Sequence, residues 1–372
     1  MDKKYMRRAI ELAAKGEGHV NPNPLVGAVI VKDGRILAEG YHARYGDLHA
    51  ERSAFANLKE DATGAEMYVT LEPCCHFGKQ PPCTQAIIEH KISKVYVGSD
   101  DPNALVAGKG IRQLEDAGIE GQTHVLKKVQ THVLKKECDA LNTVFFHYIT
   151  TGTPYVVMKY AMTMDGKIAC HTGESKWVTG EEARAHVQRM RNKYTGIMVG
   201  VQTVLADDPL LTCRIPGGRN PIRIICDSSL RTPLDSRIVQ TAGEVRTILA
   251  TVSEDADKIR NYEAHQVEVL VTAQKDGRVD LRDLMKKLGE QKIDSILLEG
   301  GGMLNYSALS NGIVQHVQAF IAPKLFGGDA GFTPVRGIGV DAPDQAWRLT
   351  DQKITSFGED LLIEADICSC KG

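Results

Sequence analysis

Near the N-terminus apolar residues recur at helical spacing, at Met6, Ala9, Ile10 and Ala13, and predict an amphipathic helix over roughly 3–15. Asn21-Pro22-Asn23-Pro24 then forces a turn. Leu25–Val31 and Ile36–Tyr41 are aliphatic, β-branched runs on either side of Lys32-Asp33-Gly34-Arg35, the pattern of a strand pair joined by a hairpin. From there strands and helices alternate. A helix from about His49 to Leu58 precedes a strand at Met67–Leu71, and a helix at Cys83–His90 precedes a strand at Val95–Gly98. A helix over Ile111–Ala117 is ended by Gly118. Such alternation predicts an α/β layer with helices on both faces of the sheet.

Thr150-Thr-Gly-Thr-Pro154 breaks the pattern and is read as the joint between domains. A strand at Tyr155–Met162 and a helix at Glu181–Arg191, capped by Thr179, start a second series. Short aliphatic strands follow at Ile197–Gly200, Ile222–Cys226, Ile248–Ala250, Val267–Val271, Ile296–Leu298, Val317–Ala322 and Leu361–Ala365. Near-continuous apolar runs of this kind predict a second α/β domain with a mostly buried sheet. The division is therefore residues 1–150 and 151–372. Residues 122–128 and 130–136 repeat one heptapeptide, Gln-Thr-His-Val-Leu-Lys-Lys; one tandem copy builds no solenoid, and its histidines are not read as ligands.

Length agrees with two cores, since 372 residues exceed what one usually accommodates. The net charge of -2 and 6% aromatic content exclude the basic, aromatic footprint of a nucleic-acid binder. Mean hydropathy is -0.22 and no long uncharged apolar run occurs, so no membrane span is expected. The opening Met1-Asp2-Lys3-Lys4 lacks the apolar stretch of a secretory signal, and nine scattered cysteines do not make a disulfide framework. A cytoplasmic enzyme is expected.

Chemistry concentrates at His49-Ala50-Glu51, Pro73-Cys74 and Pro82-Cys83. One imidazole and two thiolates suit a zinc ion (Zn2+) that keeps an open fourth position. Water on such an ion loses its proton near neutral pH, and Glu51 is placed to shuttle that proton. His49 and Glu51 fall on the first turn of one helix, Cys74 follows a strand end, and Cys83 opens another helix after two prolines. A helix start favours thiolate over thiol. This is the zinc nucleobase-deaminase pattern, although eight residues separate Cys74 and Cys83 where two are usual. The longer loop carries His76 and Lys79, two potential cations for an anionic substrate group such as a phosphate. Cys75 is read as a spectator.

A second candidate site lies at Leu298-Glu299-Gly300-Gly301-Gly302, where a strand runs into three glycines and a helix leaves. Backbone N–H groups exposed there can hold phosphate oxygens. Support comes from polar residues at element ends between Lys159 and Arg214, with Ser175, Arg191 and Arg214 able to clamp a sugar phosphate. Trp177, among polar neighbours, reads on its own as a packing residue. No side chain stands out as an essential acid; Glu299 and Lys159 are the candidates for proton handling.

The strings Asn21-Pro-Asn-Pro24, Val26-Gly27, His49-Ala-Glu51, Thr70-Leu-Glu-Pro-Cys74, Pro81-Pro-Cys83 and Asp101-Pro-Asn103 with Gly108-Lys-Gly110 resemble the deaminase half of the bifunctional riboflavin-biosynthesis deaminase/reductases. The second half resembles their reductase. The resemblance spans nearly the whole chain apart from the duplication and the Cys368-Ser-Cys370 tail. It implies a cytidine-deaminase-like α/β/α domain followed by a dihydrofolate-reductase-like α/β domain. It implies Asn23, His42, His76, Lys79 and Asn103 as deaminase substrate contacts. It implies NADPH held by Ala161, Trp177, Thr203, Asp207, Ser228, Gly301, Gly302, Met303, Leu304, Asn305, Tyr306 and Ser307. Ser175, Arg191, Leu211, Arg214 and Glu299 correspond to the reductase substrate contacts. Cys75, Phe77 and Ala104 depart from the usual residues. Phosphoribosylaminopyrimidines are the implied partners, with no nucleic acid or membrane, and a homo-oligomer is expected.

Three other readings are weaker. A nucleic-acid-editing deaminase needs a basic groove with stacking aromatics, which the composition does not supply. A structural zinc needs a fourth protein ligand, and only Cys75 is near. A deaminase whose C-terminal domain is non-catalytic is made worth testing by the duplication near the joint.

Overall fold

The computed structural model describes residues 2–78, 80–118, 120–122, 131–329 and 331–368. Lys79 and the first heptapeptide copy from residue 123 onward lie outside them, as do residues 369–372 of the tail. The chain divides into two units, Met1–Gly152 and Thr153–Gly372.

In the first unit the elements run α1 (Lys3–Ala14), β1 (Gly27–Lys32), β2 (Arg35–Tyr41), α2 (Ala50–Ala56), β3 (Glu66–Val69), α3 (Cys83–Glu89), β4 (Lys94–Val97), α4 (Lys109–Asp116), β5 (Glu120–Gln122), α5 (Thr131–Leu141) and α6 (Thr143–Thr151). The sheet order is β2-β1-β3-β4-β5, with β1 antiparallel to both neighbours and β3, β4 and β5 parallel. Successive side chains on a strand point to opposite faces, so each apolar run supplies two cores. Ala28, Ile30, Met67, Val69, Val95 and Val97 pack under α2, α3 and α4 on one face. Val29, Val31, Tyr68 and Tyr96 meet Tyr5, Met6, Ala9 and Leu12 of α1 and Leu134 and Cys138 of α5 on the other. The result is a three-layer α/β/α sandwich.

The second unit contains β6 (Tyr155–Thr163), α7 (Glu181–Lys193), β7 (Gly196–Gly200), α8 (Val201–Asp207), β8 (Ile222–Cys226), α9 (Arg237–Gln240), β9 (Thr247–Thr251), α10 (Ala256–Ala264), β10 (Glu268–Val271), β11 (Gln274–Lys275), β12 (Arg278–Val279), α11 (Leu281–Glu290), β13 (Ser295–Leu298), α12 (Gly302–Ser310), β14 (His316–Ala322), β15 (Leu349–Phe357) and β16 (Asp360–Ile367). Nine strands form one sheet in the order β10-β9-β8-β7-β13-β6-β14-β16-β15. It is parallel from β10 to β14 and antiparallel at β16 and β15. Ile224, Ile248, Ile296 and Leu298 pack against Leu281, Leu284, Met285 and Leu288 of α11, while Ile197, Val199, Ile225 and Leu249 form the opposite core.

The structure corrects several expectations. The helix α6 continues through Thr151, so the joint begins only at Gly152, which ends it in left-handed backbone. Gly180, not Thr179, caps α7, and its N–H donates to Asp360. The sequence pattern missed β5, α5 and α6 in the first unit and α8, α9, α10, α11, β11, β12 and β15 in the second. The edge strand β15 is polar and mostly exposed, so no apolar alternation marks it.

Candidate functional site

In the first unit a cavity of about 330 Å³ is lined by Asn23, His42, His49, Glu51, Cys74, His76 and Asn103. His49 caps α2 in extended backbone. Its Nδ1 lies 3.5 Å from the Sγ of Cys74 and 3.4 Å from the Sγ of Cys83. The three donor atoms all lie within 4.8 Å of one another. A tetrahedral zinc with bonds of ~2.3 Å to sulfur and ~2.0 Å to nitrogen places N and S about 3.5 Å apart. The donor set therefore fits the ion in both chemistry and spacing. Cys75 is not among the donors; its thiol donates to the Leu105 carbonyl at 3.7 Å.

Its hydrogen bonds with Cys83 and then with His49 hold the Cys74 thiol well below the usual thiol range. The same hydrogen bond, and burial, push Cys83 well above it. The hydrogen bond to Cys74 raises the pKa of His49. Glu51 is 4% exposed, and burial, then the charge of Cys74, raise its pKa. Such a carboxyl is suited to hold a proton and give it up.

The remaining predicted contacts are arranged around these groups. The Nδ1 of His42 meets the Leu48 carbonyl at 3.0 Å, and its Nε2 meets the Nδ2 of Asn23 at 3.1 Å. Burial lowers the pKa of His42, which favours the neutral ring this pairing needs. Asn103 accepts the Leu105 N–H at 3.1 Å and donates its own N–H to Asp101 at 2.8 Å. The Nδ1 of His76 is buried and has no partner among the described residues. Lys79 lies outside the described residues.

Sequence reasoning missed three contributors. Asp101 sits in the cavity wall, and burial pushes its carboxyl up to about 6. Within Asp101-Pro-Asn103 the resemblance implies a role for the asparagine alone. Phe145, Tyr148 and Ile149 of α6 close one side of the cavity; the helical spacing of that apolar run was the available signal. Asn142, 2% exposed, accepts the Leu25 N–H at 2.8 Å and donates to the Leu25 carbonyl at 2.9 Å, clamping the chain just after Asn23-Pro24. Nothing in the sequence marks that pairing.

In the second unit the predicted contacts lie at the carboxyl ends of parallel strands, where α/β sheets bind ligands. Ala161 is near the end of β6, Thr203 and Asp207 are in α8 after β7, and Ser228 follows β8. Gly301 caps α12, with no acidic residue in its first turn, and a Cβ there would meet nothing within 4 Å. A Cβ at Gly302 would lie 2.5 Å from the Thr333 carbonyl, so only glycine lets the loop sit there. The N–H groups of Gly301, Gly302 and Met303 fit a phosphate of a dinucleotide, whereas that of Leu304 already bonds to the Gly301 carbonyl at 3.0 Å. Asn305 is fully buried and donates to the Pro334 carbonyl at 2.8 Å, which turns its side chain away from the loop surface. Tyr306 packs edge-on against Trp347, and Ser307 follows on the same helix.

Arg191 of α7 binds Glu299 at the end of β13 through two hydrogen bonds of 3.0 Å, and donates a third to the Thr212 carbonyl at 3.1 Å. Burial raises the Glu299 pKa, but Arg191 and Lys159 pull harder and hold it down at about 2. Burial lowers the pKa of Lys159. Arg191 is therefore paired with Glu299; Arg214 is exposed, Ser175 half-buried, and Leu211 buried in left-handed backbone. Trp177 is 58% exposed with the Arg184 guanidinium 4.7 Å from its ring centre, which overturns its reading as a packing residue.

Comparison with known proteins follows the same division. Residues 1–99 match the cytidine and deoxycytidylate deaminase zinc-binding region, and residues 154–363 match the RibD C-terminal domain. Fold and site together define a two-headed enzyme, a zinc-binding deaminase domain followed by a reductase domain. The riboflavin biosynthesis protein RibD of Actinobacillus pleuropneumoniae is 56% identical over 99% of this chain and 96% of its own length. A deaminase/reductase structure from Thermotoga maritima is 40% identical, with a TM-score of 0.84 over 98% of both chains. Acinetobacter baumannii RibD is 32% identical, with a TM-score of 0.87 over 99% of both chains. The chain belongs to the RibD family, the bifunctional deaminase/reductases of riboflavin biosynthesis. Among the described residues no helix is long and apolar enough to cross a membrane.

Proposed function

We propose that residues 1–150 hydrolytically remove the 2-amino group of 2,5-diamino-6-(5-phosphoribosylamino)pyrimidin-4-one, and that residues 151–372 then reduce its ribosyl chain to ribityl with NADPH. The observation that carries this reading is the His49, Cys74 and Cys83 donor set at tetrahedral spacing beside Glu51. The Thermotoga maritima relative bears the name diaminohydroxyphosphoribosylaminopyrimidine deaminase/5-amino-6-(5-phosphoribosylamino)uracil reductase, which supports the same substrates here.

Zinc, when bound, supplies a water acidic enough to attack at neutral pH. Glu51 takes the proton of that water and returns it to the departing amine, so that a C–O bond forms, the C–N bond breaks and ammonia leaves. With its amide nitrogen on His42, Asn23 presents its Oδ1 as an acceptor for the pyrimidine edge. The unpartnered His76 Nδ1, with Lys79 and Asn103, receives the phosphate.

NADPH, when bound, supplies the hydride. The loop from Gly301 to Ser307 cradles its phosphates, and Ala161, Trp177, Thr203, Asp207 and Ser228 orient it. Glu299, held by Arg191, and Lys159 face the reacting ribose with Ser175, Leu211 and Arg214 around it. The enzyme is cytoplasmic in this reading, which its unpaired described cysteines support. It is also a homo-oligomer in this reading. Incubation with the diaminopyrimidinone, with and without NADPH, tests the proposal. Ammonia release alone without NADPH, and NADPH oxidation only after deamination, are expected; NADPH oxidation without ammonia release would refute the order.

A further inference from the structure

The three metal donors arrive on separate stretches of chain. Cys74 and Cys83 are tied to each other, because the N–H and the hydroxyl of Thr84 both reach the Cys74 carbonyl, at 3.2 and 3.3 Å. His49 arrives on a different element, α2. Arg52 stands in the first turn of that helix, three residues beyond His49. Its Nε donates to the Pro81 carbonyl and its Nη2 to the Pro82 carbonyl, each at 2.9 Å. These two prolines immediately precede Cys83. Their nitrogens carry no hydrogen, so this stretch cannot be anchored through its own N–H groups. A side chain anchors it through its carbonyls instead.

We propose that Arg52 is a positioning residue of the metal centre, fixing the histidine donor of α2 against the Cys74–Cys83 pair through the Pro81 and Pro82 carbonyls. The inference rests on the zinc reading above. The planar guanidinium suits this role because two of its N–H bonds diverge to meet two successive carbonyls, whereas an ammonium has no such fixed fork. Partners outside the donor set hold ligand geometry, and their loss typically weakens metal binding by about 10- to 100-fold.

The test uses the full zinc-loaded chain and two variants, Arg52→Met and Arg52→Lys. Zinc transfer to a chromophoric chelator is timed, and the visible spectrum of the cobalt-substituted protein is recorded. Arg52→Met is expected to release zinc about tenfold faster and to broaden the cobalt bands. Arg52→Lys, which keeps the stem and charge without the fork, is expected to release it roughly threefold faster. NADPH oxidation by the same preparations, supplied with deaminated substrate, is expected to be unchanged and marks the second unit as folded, and a wild-type circular dichroism spectrum of the whole chain marks the first. A wild-type release rate and cobalt spectrum in either folded variant would overturn the proposal, and Arg52→Lys carries the test if Arg52→Met does not fold. A wild-type chain that takes up no zinc overturns the zinc reading and this one with it; zinc-loaded wild type with indifferent variants overturns this one alone.

Discussion

The two sites solve opposite problems. In the first unit chemistry is carried by a few side chains brought to one point: an imidazole, two sulfurs and a carboxyl in one cavity. In the second unit the candidate contacts are spread along strand ends and a glycine loop, and the strongest side-chain feature is a buried ion pair, Arg191 with Glu299. The difference follows from where the reactive group comes from. A metal must be gripped by specific atoms at fixed distances, whereas a dinucleotide brings its own hydride and mostly requires backbone, shape and orientation.

The largest test of that contrast is Glu51→Gln. It is expected to retain zinc, to lose deamination by about 10²- to 10⁴-fold, and to leave NADPH oxidation of deaminated substrate unchanged. Parallel ammonia and NADPH assays with metal analysis check it; loss of both activities would break the idea of two independent sites. Next comes Arg191→Met. Glu299 would lose both hydrogen bonds to its cation and keep only the charges of Lys159 and Arg214 nearby, and the second unit should lose about 3 kcal/mol of stability, read from urea denaturation. A neutral effect would show the pair to be dispensable to the fold.

Asp101→Asn sharpens the comparison through pH. Burial raises the folded pKa of Asp101 from 3.8 to about 6, so folding disfavours its charged form. Its contribution to stability is whole below about pH 4 and is lost as pH rises through about 6. The variant, which cannot ionise, should exceed wild type by about 2 kcal/mol at pH 8 and match it near pH 4. Equal denaturation midpoints at pH 8 would remove the burial argument. The smallest effect is expected from Asn142→Ala, which frees Leu25 and should cost about 1 kcal/mol while raising the deaminase KM severalfold. An unchanged KM would mean that the turn carrying Asn23 holds its shape unaided.

The contrast also explains which parts could be read from the chain. His49, Cys74 and Cys83 were legible because metal chemistry narrows the choice of residue, and because each cysteine follows a proline. The central strands were legible because both of their faces are buried, which demands unbroken apolar runs such as Ile296–Leu298. The polar edge strand Leu349–Phe357 was not, since an exposed edge places no such demand. The partner of Arg191 was not legible for a related reason: nothing along the chain points to a carboxylate 108 residues away.

By itself the sequence determined the donor types, the alternation of strands and helices, and the division into two halves, because each depends on neighbours along the chain or on chemistry that few side chains can perform. Tertiary structure alone decided that Glu51 is buried with a raised pKa, that α6 walls the deaminase cavity, and that Glu299 is held by Arg191. Those outcomes are set by burial and by electrostatic contacts between distant segments, and such energies exist only once the segments have been brought together.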